Sequence, residues 1–196
     1  MWAAQISTAS FAARHVDIVL DLADALAESG IARPRVLSFG CSKGFEPLDL
    51  AHAIPGAEVL GCDVCPDALA EAVERTAPAG IRIFASTPAD IAAHGPYDAV
   101  VALNVLTRYP AIRGRDDISP VYPFADFDFS ATRLADSLNP GGILAVYNAC
   151  YLFEQTAAAA AFRPVPARRH ARNGWMEKHD RSGTRLTTVV GEFEGR

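Results

Sequence analysis

Between Val16 and Glu28, Val16, Val19, Leu20, Leu22, Ala23 and Leu26 recur at helical spacing, with Gly30 placed where a helix would stop. Pro34 introduces a short β-prone run, Arg35–Phe39, which breaks at Gly40-Cys41-Ser42-Lys43-Gly44. Helical spacing resumes over Phe45–Ala53, where Pro47 is tolerated because a first-turn residue needs no intrahelical N–H partner. The alternation then repeats, with strands over Ala57–Gly61 and Ile81–Ala85 and helices over Pro66–Arg75 and Pro88–Ala93. Tyr97–Leu103 is apolar enough for a strand covered on both faces. A helix over Phe127–Leu138 is expected to end at Asn139-Pro140-Gly141-Gly142, before the buried-strand run Ile143–Tyr147. Gly174–His179 and Thr184–Phe193 flank Asp180-Arg181-Ser182-Gly183, the residues of a hairpin turn.

Strands that alternate with helices argue for a parallel sheet. The expected architecture is an α/β, Rossmann-like, doubly wound fold, with a mostly parallel seven-stranded sheet: five parallel strands plus a C-terminal antiparallel β-hairpin. Residues 1–196 read as one domain, led by a helical segment over 1–30. Tyr109–Phe124 is the longest stretch without periodicity, and loops of that length are often functional. The alanine run Ala157–Ala161 favours helix.

Half of the 196 residues are hydrophobic, enough for a sizeable core without disulfide or metal staples. A net charge of −5 offers no broad basic footprint, so no nucleic-acid partner is expected. No apolar run approaches the ~18 residues of a membrane span. The opening MWAAQISTASFAARHVD lacks the order of a secretory signal, and the four cysteines lack the spacing of a secreted scaffold, so a soluble, cytoplasmic protein with reduced thiols is expected.

Two features carry chemistry together. The glycine turn Gly40–Gly44 follows the first strand and opens a helix, and Asp63 ends the second strand 23 positions after Gly40. In a βαβ unit the turn lets the backbone approach a nucleotide-like ligand, while the carboxylate accepts from ribose hydroxyls. Other readings stay open. Gly40-Cys41-Ser42-Lys43-Gly44 also satisfies the G-x-S-x-G of serine hydrolases, with Ser42 as nucleophile, although Asp63 then has no role. A nicotinamide-dependent dehydrogenase would show a middle glycine that this turn lacks. Cys62-Asp63-Val64-Cys65 has redox or half-zinc spacing but no second pair of ligands, so no metal is expected.

The chain resembles the class I S-adenosylmethionine-dependent methyltransferases. Its first motif, Leu37-Ser38-Phe39-Gly40-Cys41-Ser42-Lys43-Gly44-Phe45-Glu46-Pro47, is similar to that of the chemotaxis-receptor methyltransferases. The resemblance implies S-adenosyl-L-methionine as cofactor, with Gly40, Cys41 and Gly44 around its methionine end, Phe39 and Ser42 beside them, Asp63 on the ribose and Val64 flanking the adenine. It also implies that Thr87, Ala89 and Asp90 lie at the adenine edge and that Asn104 and Val105 mark the boundary between cofactor and acceptor. Leu138-Asn139-Pro140-Gly141-Gly142 resembles the family's turn before strand five. Two departures stand out: Ser38 occupies a position where many members carry an acid that orients the methionine amino group, and Asn104 precedes Val105-Leu106 instead of the Pro-Pro-aromatic run of amino-methylating nucleic-acid enzymes.

The function this implies is methyl transfer to an unidentified small-molecule acceptor, because no appended domain is available to recognise a macromolecule. Catalytically inert cofactor binding is the alternative. Residues 105–126 and 149–173 would form the acceptor side, since ligands of open α/β sheets lie beyond the strands' carboxyl ends. Asn104, Tyr109, Tyr151 and His170 are the candidate catalytic residues, with Arg108, Tyr147 and Asn148 nearby; His170 lies in the basic run Arg168-Arg169-His170-Ala171-Arg172, suited to an acidic acceptor or to solvent. The aromatics of Tyr122–Phe129 suit either an acceptor pocket or an anchor for the long loop.

Overall fold

The computed structural model describes residues 10–169 and 174–186. Helix α1 (Val16–Glu28) buries Val19, Leu22 and Leu26 along one stripe. It ends where expected: Ser29 Oγ donates to the Leu26 carbonyl at 2.6 Å and Gly30 turns left-handed. Strand β1 (Arg35–Phe39) and helix α2 (Phe45–Ala53) have the bounds anticipated from the sequence. They are followed by β2 (Glu58–Asp63), α3 (Pro66–Thr76), β3 (Arg82–Ala85), α4 (Pro88–His94), β4 (Tyr97–Leu103), α5 (Phe124–Asp136) and β5 (Leu138–Tyr147).

The five strands form one sheet in the order β3-β2-β1-β4-β5, and every pairing is parallel. Internal strands of a parallel sheet are covered on both faces and therefore read as continuous apolar runs. Val36, Val59, Ala99, Val101 and Leu103 pack under α1 and α2 with Leu22, Leu26, Leu50 and Ile54. Leu37, Phe39, Leu60, Cys62, Val100 and Ala102 face the other way, toward Ile91 of α4 and Phe127 and Leu134 of α5. The crossovers thus leave β1 and β4 on opposite faces, which makes the two adjacent strand ends the switch point of a doubly wound sheet.

Three expectations are corrected. The sheet has five strands among the described residues, not seven. In the C-terminal region the turn at Asp180–Gly183 is closed by Asp180 N–H to the Thr184 carbonyl, but it carries only the antiparallel bridge His179–Arg185 and no extended ladder, and the rest of the second arm lies outside the described residues. Helix α5 spans Phe124–Asp136, because Leu138 pairs with Tyr97 and the Pro-Gly-Gly segment is absorbed as an irregularity between that pair and Ala99–Ile143. Ala157–Ala161 forms a 3-10 turn bounded by extended Thr156 and Phe162, too short a run for an α-helix to propagate.

The long segment after β4 is anchored. Leu106, Ile112, Ile118 and Tyr122 enter the core against α5, and Ile118 N–H donates to the Gly183 carbonyl at 3.0 Å. Tyr122 and Phe127 therefore anchor the loop, whereas Phe129 is exposed. The segment 149–169 is fastened to α1 by Arg169, whose Nη1 lies 2.7 Å from Asp24 Oδ2, and by Arg168 on Glu28. No helix among the described residues is long and apolar enough to cross a membrane.

Candidate functional site

The turn after β1 is left-handed at Gly40 (φ +78°), Ser42 (φ +48°) and Gly44 (φ +84°). A Cβ on Gly40 would lie 2.6 Å from Val105 Cγ2, and one on Gly44 would lie 3.0 Å from Ala72 Cα, so glycine serves both the backbone angle and the close approach of neighbours. Gly40 and Cys41 N–H groups donate to the Cys62 carbonyl at 2.8 and 2.9 Å, stitching the turn to the end of β2.

Asp63 lies directly against this turn. Its Oδ2 accepts from Ser42 N–H at 2.7 Å and its Oδ1 from Cys65 N–H at 2.9 Å. The expected pair of turn and acid is thus brought together, with one difference. The N–H groups of Gly40, Cys41, Ser42 and Gly44 all have partners inside the protein, so the turn offers a ligand a close backbone surface and not a ring of free donors. The carboxylate keeps acceptor capacity, because its two oxygens offer about four lone-pair sites and two are used here.

Val64 follows as an exposed apolar side chain. Beside it, Ser86 N–H donates to the Asp63 carbonyl at 2.9 Å, which sets the start of the 86–90 segment along the same edge. Thr87 caps α4: its Oγ1 accepts from Asp90 N–H at 3.0 Å and donates to Asp90 Oδ2 at 2.6 Å. Thr87 and Ala89 remain exposed. Phe39 and Cys41 point into the protein; burial pushes the Cys41 thiol up, with Cys62 and Asp63 adding to the effect. Burial also drives the Cys62 thiol up to about 12, so both are neutral packing groups.

Glu46, in the first turn of α2, was not singled out from the sequence as a site residue. Its Oε1 accepts from Ser38 Oγ at 2.7 Å, which returns a carboxylate to the β1 position two before Gly40. Burial pushes its pKa up to about 7; Asp49 adds to the rise, while the Ser38 hydrogen bond and Arg14 oppose it. The signal was present in the motif, but only the fold shows that positions 38 and 46 meet.

At the ends of β4 and β5, Asn104 (φ +59°) and Asn148 (φ +55°) are both left-handed and lie side by side. Asn148 Nδ2 donates to Asn104 Oδ1 at 2.5 Å, and Asn104 Nδ2 lies 2.6 Å from His15 Nε2. Asn148 Oδ1 accepts from the N–H groups of Trp175 and Met176 at 2.8 and 3.3 Å. His15, which no local pattern marked, packs edge-on against Tyr147 at 5.3 Å. Tyr109 is half-buried and meets Trp175 edge-to-face at 4.8 Å. Tyr151 is buried and its hydroxyl donates to the Tyr122 carbonyl at 2.6 Å, an anchoring role. His170 lies outside the described residues.

Comparison with known proteins bears on this geometry. A family model described as a methyltransferase domain matches residues 36–115, the stretch from β1 through the glycine turn and Asp63 to the loop after β4. The resemblance to the class I methyltransferases agrees with that match. An uncharacterized protein of Synechococcus sp. is 31% identical over 122 residues, which cover 60% of this chain and 26% of that protein. Among solved structures, a SAM-bound amino pentose methyltransferase from Micromonospora echinaspora, involved in calicheamicin biosynthesis, is 26% identical with a TM-score of 0.48, covering 66% of this chain and 49% of that one. A sugar N-methyltransferase from Streptoalloteichus sp. is 19% identical with a TM-score of 0.49, covering 71% of this chain and 49% of that one. The chain thus spans about a quarter of the curated relative and about half of each of these structures.

Proposed function

Proceeding from a chain whose residues 36–115 match a methyltransferase domain, we propose that this protein is an S-adenosylmethionine-dependent methyltransferase acting on a small-molecule acceptor, and that residues 1–196 work as one domain. The observation that carries this reading is the 2.7 Å contact between Asp63 Oδ2 and Ser42 N–H, which joins the glycine turn and the acid in one site at the carboxyl edge of the sheet.

The residues present fit the cofactor. The spare lone pairs of Asp63 suit ribose hydroxyls, and exposed Val64 offers an apolar surface to adenine, with Thr87, Ala89 and Asp90 along its edge. Gly40, Cys41 and Gly44 border the methionine end, flanked by Phe39, Ser42 and Val105. Glu46 supplies the carboxylate for the amino group that Ser38 lacks, and a cationic ammonium would hold that side chain ionised. The cofactor brings an electrophilic sulfonium methyl. The protein's part is positioning, which alone supplies a large share of rate in a bimolecular transfer: Asn104, fixed through both ends of its amide, borders the reaction space, and Tyr109 and Trp175 line the acceptor side.

Isothermal titration with S-adenosylhomocysteine tests the reading. Wild type binds it and Asp63→Ala binds at least tenfold more weakly; binding of NAD in its place, or of neither, overturns the proposal. Turnover of candidate acceptors then separates an enzyme from an inert binder.

A further inference from the structure

Two backbone donors fix the sense of a run of side-chain hydrogen bonds that ends at the start of α1. The N–H groups of Trp175 and Met176 both point at one atom of the Asn148 amide, at 2.8 and 3.3 Å, and only an oxygen can accept from them. A Cβ on Gly174 would lie 1.9 Å from that oxygen, so glycine is what lets the backbone come this close. The Asn148 NH2 is therefore turned toward Asn104, whose facing atom at 2.5 Å must be its carbonyl oxygen. Asn104 in turn presents its own NH2 to His15 Nε2 at 2.6 Å. An amide NH2 offers no usable lone pair, so this ring nitrogen must accept, and the imidazole is neutral with its proton on Nδ1.

Helix α1 places His15 for this contact. The His15 carbonyl accepts from Val19 N–H at 3.0 Å as the helix begins, and Val19 and Leu22 pack with Val101 and Leu103, which brings the helix start to the end of β4. The ring is half-buried and edge-on to Tyr147 at the end of β5, with 5.3 Å between centroids. Arg14 and Asp17 flank it in the chain, while α2 brings Glu46, whose ionisation Arg14 favours, and Asp49, which accepts from Ala13 N–H at 2.8 Å. An amide held at one end can turn over and exchange its donor for its acceptor. Asn104 is held at both ends, and its contacts among the described residues leave one N–H and one lone pair uncommitted. We propose that His15 is a positioning residue for methyl transfer: as the neutral acceptor at the end of this relay, it keeps the Asn104 amide in one orientation where cofactor and acceptor meet. This role rests on the methyl-transfer reading, which assigns Asn104 to that boundary. Because Nε2 is occupied by Asn104, the role is orientation and not proton abstraction.

Long-range proton–nitrogen NMR correlation at pH 8, where an ordinary imidazole is neutral, reads the proton's place in the ligand-free full chain, with the His15 signals identified by their loss in His15→Gln. Nδ1–H is expected; an Nε2–H tautomer overturns the relay. Calorimetry with S-adenosylhomocysteine at the same pH reads the consequence. His15→Leu should weaken binding by about three- to tenfold, the range of one lost hydrogen bond, and His15→Gln, which keeps an acceptor oxygen, should recover most of that loss. Asn104→Gly, which tolerates the left-handed backbone at φ +59°, should weaken binding at least as much. Adding His15→Leu to Asn104→Gly should then cost less than about twofold more, since the two act through one contact. Unchanged affinity in His15→Leu, a loss that His15→Gln does not relieve, or losses that multiply in the double variant each overturn the positioning role and leave the cofactor reading standing. If wild type fails to bind S-adenosylhomocysteine, the proposed function falls, and this role with it.

Discussion

Replacing Asp63 should damage folding and, on the proposed function, cofactor binding together, because one carboxylate holds two loops and is the group assigned there to the ribose. Its oxygens accept from Ser42 N–H at 2.7 Å and Cys65 N–H at 2.9 Å, and the residue is 8% exposed, so solvent replaces these bonds poorly. Hydrogen bonds to a charged group are worth about 1.5–3 kcal/mol each, and partial access of water to the freed N–H groups puts Asp63→Ala at ~2–4 kcal/mol of lost stability. For a chain of this length each kcal/mol moves the melting temperature by about 2–4 °C, so a fall of roughly 5–15 °C is expected. Asp63→Asn keeps one carbonyl oxygen for one N–H and turns an amide NH2 toward the other, so it should fall between Ala and wild type. Thermal unfolding without ligand and calorimetry with S-adenosylhomocysteine read the two effects separately. Melting of Asp63→Ala within about 1 °C of wild type would refute the loop-holding role, and undiminished affinity would refute the ribose-binding one.

Gly44→Ala combines a left-handed backbone at φ +84° with a Cβ 3.0 Å from Ala72 Cα, and should cost about 2–4 kcal/mol in a urea unfolding curve. Glu46 has a folded pKa of about 7, above its value in the unfolded chain, so the native state binds the extra proton and wild-type stability falls as pH rises from about 4.5 through 7. Glu46→Gln should remove that slope, a difference on the order of 2 kcal/mol in unfolding free energies from urea curves compared at pH 5 and pH 8. On the proposed function, wild type should gain affinity for S-adenosylhomocysteine through pH 7 as the Glu46 carboxylate ionises to meet the ammonium, and the same variant should lose that climb. Asn148→Ala removes the acceptor for two backbone N–H groups and the partner of Asn104, so hydrogen exchange at Trp175 and Met176 should accelerate by tenfold or more with less change in β1.

Much of this protein is legible in short windows of sequence. The bounds of α1, β1, α2 and β4 follow from apolar spacing and from the breakers Gly30, Pro34 and Gly40, because a helix or a doubly covered strand must bury a set of side chains that its own period dictates. The glycine turn and Asp63 were readable for a related reason: parallel neighbours in a βαβ unit bring two successive strand ends to one edge, so a separation of 23 positions already implies proximity. Local reading failed where a distant partner outweighed a local preference. Pro140-Gly141-Gly142 has the composition of a helix stop, yet Leu138 is drawn into β5 by pairing with Tyr97, 41 positions away.

The tertiary structure alone decided the contacts beyond the ends of β4 and β5. Asn104 meets His15 across 89 positions, Asn148 holds the backbone at Trp175, and Arg108 faces Tyr122. None of these carries a periodic signal, because each is a single polar match between chain segments brought together only by the closing of the sheet and the docking of its loops. Hydrophobic burial acts on every residue of an element and so writes itself along the chain, whereas a hydrogen bond acts between two atoms and leaves no repeat to find.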